Sequence, residues 1–169
     1  MDNPQQPDVE SDEGLVFHLE VSMGIYHLTA VRRFVAELMQ SVVNDPALAA
    51  RLAMATHELL ENAVKYSTNT RRLVSLRMAA EHSRRVRVTV MNASTEELTA
   101  PLRVLLTQLN QAPNRDAKFR EMIEQSLLRE SGSGLGLARI SAEAEMDLSC
   151  ELHQGILSVT AETSIGARP

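Results

Sequence analysis

The chain has 169 residues, 44% of them apolar, and a net charge of −5. That is enough apolar material for a domain with a real core, which excludes a disordered chain, and the acidic balance excludes non-specific nucleic-acid binding, which needs a basic face. A single cysteine, Cys150, excludes an internal disulfide; with no apolar run of bilayer length and an acidic N-terminus unlike a signal peptide, a soluble cytoplasmic protein is expected.

Residues 1–14 are polar and acidic and read as a flexible tail, and residues 15–169 read as one domain. Phe17–Val21 alternates apolar and polar residues as a strand does. Tyr26–Val43 carries Val31, Phe34, Val35 and Leu38 at helical spacing. A second helix runs over Pro46–Tyr66. Pro46 suits its first turn, Asp45 or Asn44 can cap it, and Leu48, Leu52, Ala55 and Leu59 form a buried stripe. Leu73–Met78 and Val86–Met91 read as antiparallel strands around a polar turn near Glu81–Arg84.

Thr95 to Glu130 is read as a helical insert. Leu102, Leu105, Leu106 and Leu109 are helically spaced, as are Phe119, Ile123 and Leu127, and Pro113-Asn114 breaks the two helices. A helix over Leu137–Ala144 follows. Strands Leu148–His153 and Ile156–Ala161 then form a hairpin on Gln154-Gly155. Cys150 reads as a structural thiol in the first of these strands. No internal repeat is present.

The glycines of Ser131-Gly132-Ser133-Gly134-Leu135-Gly136-Leu137 precede that last helix. Glycine lets backbone N–H groups converge, and a helix N-terminus adds partial positive charge, so the loop can cradle an anion, usually phosphate. A plain structural turn is the alternative. A Walker loop is excluded because Leu137 follows Gly136, and a Rossmann fingerprint because the spacing and the preceding strand are missing.

Upstream, Glu58, Asn62 and Lys65 are spaced four and then three residues apart and share one side of the second helix. An amide oxygen can ligate Mg²⁺, an ammonium can meet phosphate, and a carboxylate can accept a hydroxyl proton. The alternative is a solvated helix face. The five histidines show no metal-ligand spacing, and His57 is expected to face Glu61 rather than assist chemistry. Arg71-Arg72 and Arg84-Arg85 read as solvated turns, and no Gly-x-Ser-x-Gly elbow is present.

Glu58-Leu59-Leu60-Glu61-Asn62-Ala63-Val64-Lys65-Tyr66-Ser67 resembles the N-box of the GHKL (histidine-kinase-like) ATPases, and Gly132-Ser133-Gly134-Leu135-Gly136-Leu137-Ala138 resembles their second glycine box. The resemblance spans roughly residues 17–162. It lacks the dimerisation helices of a sensor kinase, and in that it is similar to the short anti-sigma-factor serine kinases. It implies a two-layer α/β sandwich of the Bergerat type, with a mixed sheet covered on one face by helices. It also implies ATP and Mg²⁺ as cofactors. Asn62 would hold Mg²⁺, Glu58 would be the general base, Lys65 would lie near the phosphates, and the loop of Gly132, Ser133, Gly134, Leu135 and Gly136 would wrap the triphosphate.

One family element differs. An Asp-x-Gly-x-Gly box, whose Asp accepts from the adenine amino group, is expected after Val86–Met91; Asn92-Ala93-Ser94 stands there instead. Asn92 can serve as a neutral acceptor in the Asp role. A strand ending in Asn, a helical insert and a Gly-x-Gly-Leu-Gly-Leu loop also resemble a branch of kinases that regulate a STAS-like partner in biofilm-linked signalling. The implied function is a regulatory serine/threonine kinase, or an anti-sigma-factor-like switch, acting on a STAS-like antagonist or a sigma factor, with a homodimer as one possible assembly. The alternatives are a non-catalytic pseudo-kinase interaction module and an ATPase driving a conformational cycle.

Overall fold

The computed structural model describes residues 15–22, 27–43, 45–68, 73–81, 85–128 and 134–164. The expected tail, Arg71-Arg72, His82, Arg84, and Gly132 and Ser133 of the glycine loop lie outside the described residues.

Alternation builds the sheet. Strand β3 (Arg85–Ala93) buries Val86, Val88, Val90 and Asn92 and leaves the residues between them more open. It pairs antiparallel with β2 (Leu73–Glu81) on one side and with β5 (Ile156–Ser164) on the other. β1 (Leu15–Ser22) flanks β2, and β4 (Asp147–His153) flanks β5, giving the order β1-β2-β3-β5-β4. Gln154 and Gly155 close the β4–β5 hairpin with positive φ of 50° and 78°, the handedness that matches strand twist.

A mixed sheet was implied by the family resemblance; among the described residues every strand pair is antiparallel. The connections explain this. β2–β3 and β4–β5 are hairpins. Between β1 and β2, helices α1 (Leu28–Val43) and α2 (Pro46–Tyr66) return the chain to the end of the sheet it left.

Asp45 caps α2 by accepting from the N–H groups of Ala47 and Leu48 at 3.0 and 3.1 Å. The expected stripe of Leu48, Leu52, Ala55 and Leu59 is buried, together with Leu60, Ala63 and Val64, so α2 is the central helix of the core. In α1, Val31, Val35 and Met39 are buried. Phe34, expected on that stripe, sits at its margin: it is 45% exposed, with its ring tilted against Phe17 at 5.2 Å.

The insert folds as α3 (Glu96–Asn110) and α4 (Arg115–Leu128), with the break at Pro113-Asn114. Leu106 and Leu109 of α3 are buried, and Leu102 and Leu105 pack against the core. In α4 the inward residues are Phe119 and Met122, whereas Ile123 and Leu127 are exposed, the latter at 81%. The real apolar face of α4 is therefore the i, i+3 pair, and Ile123 and Leu127 point away from it.

Helix α5 (Leu135–Glu143) begins two residues earlier than expected because Gly134, at φ 93°, makes the turn into it. α5 packs on α2, and α4 covers α5. On the far side of β3 and β5, Arg85 and Arg87 pair with Glu162, and the Thr89 and Thr160 hydroxyls are 2.9 Å apart. The result is a two-layer α/β sandwich with one core between helices and sheet. No helix among the described residues is long and apolar enough to cross a membrane.

The β4 edge is guarded. The Asn110 amide donates to the Leu148 carbonyl at 2.6 Å and accepts from the Leu148 N–H at 3.1 Å, so one side chain imitates a neighbouring strand. Arg115 donates to the Met146 carbonyl at 3.1 Å just before the strand begins.

Candidate functional site

A cleft of about 280 Å³ opens where α2, α3, the start of α5 and the ends of β3 and β5 meet. Its wall is mainly aliphatic. The polar exceptions are Asn62 and Tyr66 of α2, Asn92 and Ser94 at the end of β3, and Glu97 of α3. Volume and composition are those of a small-molecule site at the low end of the usual size range.

The β3 alternation places Asn92 here. It occupies the next inward position after Val86, Val88 and Val90, and is 4% exposed. Its Nδ2 donates to the Ala93 carbonyl at 3.0 Å, and the same carbonyl accepts from the Thr68 N–H at 3.1 Å, tying the end of α2 to the end of β3. That donation turns Oδ1 away from Ala93. Ser94, two residues on and also inward, is 5% exposed; its N–H donates to the Gly155 carbonyl at 2.9 Å.

Two buried polar atoms in this wall lack a partner, Asn62 Nδ2 and Ser94 Oγ. Buried polar groups are nearly always paired, so each of these atoms is available to a ligand atom.

Glu58 lies beside the cleft, one turn of α2 from Asn62. Its side chain is 14% exposed, and Oε1 accepts from Arg139 of α5 at 3.3 Å. Arg139 also donates from Nε to Glu143 at 2.7 Å. Glu143 first, then Glu58, hold the Arg139 guanidinium above its ordinary range, against the opposing effect of burial. Gly136 packs directly on Glu58: a Cβ there would overlap Oε2.

Gly134 is pinned differently. Its φ of 93° suits glycine, and a Cβ on it would come within 2.7 Å of Leu105 Cδ2 and 3.6 Å of Met122 Cε. The insert therefore rests on the entrance to α5. No side chain caps this helix, and its first internal bond runs from the Ala138 N–H to the Gly134 carbonyl at 3.0 Å. Its first-turn N–H groups have no partner inside the helix, and they carry the positive end of the dipole.

Of the expected site residues, Asn62, Asn92 and Gly134 line the cleft. Glu58 and Gly136 touch one another beside it. Leu135 and Lys65 are not part of its wall; Lys65 is exposed, with Nζ 5.2 Å from the Tyr66 ring centre. Gly132 and Ser133 lie outside the described residues. His57 faces Glu61, with Nε2 3.9 Å from the carboxylate. Ser94, Glu97 and Arg139 are additions. Ser94 was detectable as the next inward position after Asn92. Arg139 left no such signal, because its partner Glu58 is distant in sequence.

No family model matches the chain, and no curated protein sequence does. Among solved structures, a chain in the crystal structure of the SiaB–SiaC complex from Pseudomonas aeruginosa is similar. The TM-score is 0.72, over 90% of this chain and 90% of that one, at 14% sequence identity. At that identity the likeness establishes a shared fold, the two-layer sandwich described above.

Proposed function

We propose that the chain is a regulatory ATP-binding protein that transfers the ATP γ-phosphate to a serine or threonine of a protein partner. The observation that carries this reading is the pair of orphan polar atoms, Asn62 Nδ2 and Ser94 Oγ, in a largely apolar cleft. An unpaired buried group costs about 1–3 kcal/mol, and a bound ligand removes that cost. A purine suits this wall, since its faces are apolar and its edge carries hydrogen-bonding groups.

The triphosphate would follow the positive start of α5, where no side chain caps the helix and Gly134 brings no side chain of its own. Mg²⁺, when bound, neutralises phosphate charge. It prefers one or two protein oxygens supplemented by phosphate oxygens and water. The residues fit that requirement: the Asn62 amide, in the wall of the cleft, can supply one oxygen. Glu58, held by Arg139 beside the cleft, would accept the proton of the attacking hydroxyl. The similar structure is that of a two-protein complex, which supports a protein partner, with a STAS-like antagonist or a sigma factor as the classes considered.

A non-catalytic binding module is the second reading. The ion pair that occupies Glu58 favours it, as does Asn92 in place of the family Asp.

Calorimetric titration with ATP and Mg²⁺ tests the site. Micromolar binding that Asn62→Ala weakens about tenfold or more supports it. No binding at millimolar ATP overturns it. Glu58→Ala then separates the two readings: as a base it is needed for transfer and not for nucleotide binding. A wild type that binds ATP and transfers no phosphate to its partner leaves the binding-module reading.

A further inference from the structure

From the Asn92–Ser94 end of the cleft we infer that this site accepts guanine as well as adenine nucleotides, with Asn92 as the residue that relaxes the selection and Ser94 as a partner for either base. The inference rests on the nucleotide reading above and concerns which purine the site takes.

A carboxylate at position 92 would be acceptor-only. It would favour the adenine amino group and repel the guanine carbonyl oxygen that replaces it. Asn92 removes that charge. Its Nδ2 spends one N–H on the Ala93 carbonyl, which leaves one N–H and Oδ1 for a ligand, one donor and one acceptor. Turning the amide over would set Oδ1 against the Ala93 carbonyl, so the structure fixes its orientation. The selection lost is then that of charge, and charge-assisted bonds are about twice as strong as neutral ones.

Ser94 supplies the adaptable partner. Its hydroxyl is buried, lines the same cleft and has no partner, so its proton is free to rotate. It can donate to adenine N1, or accept from guanine N1–H. A glycine at this position would offer neither. The Ser94 backbone is held by the Gly155 carbonyl, which keeps the hydroxyl beside Asn92 while leaving its rotor free.

Glu97 does not restore the missing selection. It is the one carboxylate among the cleft-lining residues, and it is exposed in the first turn of α3, where water weakens its selection.

Calorimetric dissociation constants for Mg²⁺·ATP and Mg²⁺·GTP on the wild-type chain test this directly. The expected GTP-to-ATP ratio lies below about tenfold, and Asn92→Asp raises it to about a hundredfold by weakening GTP. Ser94→Ala weakens both nucleotides by a similar factor and leaves their ratio within about threefold of wild type. A wild-type ratio above about tenfold overturns the inference and leaves the nucleotide reading standing. So does a Ser94→Ala variant that binds both as the wild type does. If neither nucleotide binds, the nucleotide reading itself falls, and the inference with it. Because the wild-type ratio decides the question by itself, a poorly folding Asn92→Asp chain does not block the test.

Discussion

The Glu58 carboxylate fills the space that a side chain at residue 136 would need: a Cβ on Gly136 overlaps Oε2 and lies 3.3 Å from the carboxylate carbon. This contact fastens α5 to α2 at the candidate site and gives the glycine a reason beyond phosphate approach. Two opposing effects meet in Gly136→Ala. Alanine is the better helix former by about 0.5–1 kcal/mol, but it displaces the carboxylate and breaks its pair with Arg139. In the Glu58→Ala background only the gain remains, so Gly136→Ala should stabilise that chain by about 0.5–1 kcal/mol while giving no gain in the wild type. Urea unfolding of the four proteins measures the coupling. Equal effects in both backgrounds would remove Glu58 as the cause.

Gly134 carries a different constraint. A non-glycine residue at φ 93° is strained, and its Cβ would also press on Leu105 of the insert. Gly134→Ala should cost about 1–3 kcal/mol, with a lowered melting temperature. Adding Leu105→Ala relieves the contact and leaves the backbone strain, so in a double-mutant cycle it should recover only the part of the cost that the contact adds. A Gly134→Ala protein as stable as the wild type would show that the turn into α5 relaxes freely.

Much of this arrangement was legible because its cause is local. Period-two alternation in β3 ordered Val86, Val88, Val90 and then Asn92 on one face, which is why an asparagine could be placed in the site from sequence. The α2 stripe and its Asp45 cap followed from spacing and cap chemistry. In α4 the same method misjudged which positions face inward. Phe119 anchors both the i, i+4 row through Ile123 and the i, i+3 row through Met122, and only packing on α5 selects the second. The closure of the cleft by α3 and the Arg139–Glu58 pair are tertiary contacts between distant segments, with no periodic trace. The antiparallel β1–β2 pair follows from how α1 and α2 return the chain, which the family resemblance did not convey.

Asn110 links the insert to the sheet edge, so its loss should be felt in β4. Asn110→Ala leaves the N–H and C=O of Leu148 without their partner, and Leu148 is 2% exposed. The expected cost is about 1–3 kcal/mol. Hydrogen exchange should show faster exchange of the Leu148 amide, with amides in the middle of α2 changed only by the global loss. Unchanged protection at Leu148 would mean that water replaces the amide at no cost.

Cys150 gives a pH prediction whose sign follows from its surroundings. Burial favours the neutral thiol and pushes its pKa up; Arg103 opposes this, while Glu151 and Glu96 add to it. The folded chain therefore holds the thiol proton more tightly than the unfolded chain, in which the pKa is about 8.5. The resulting stability is fully present below the unfolded value and is lost as pH rises through the folded one. Alkylation by iodoacetamide should accordingly inflect at higher pH in the folded protein than in urea. Arg103→Gln should raise the inflection further, because it removes the opposing cation and frees the Glu96 carboxylate that Arg103 now binds. An inflection at or below that of the unfolded chain would contradict the burial of this thiol against the core.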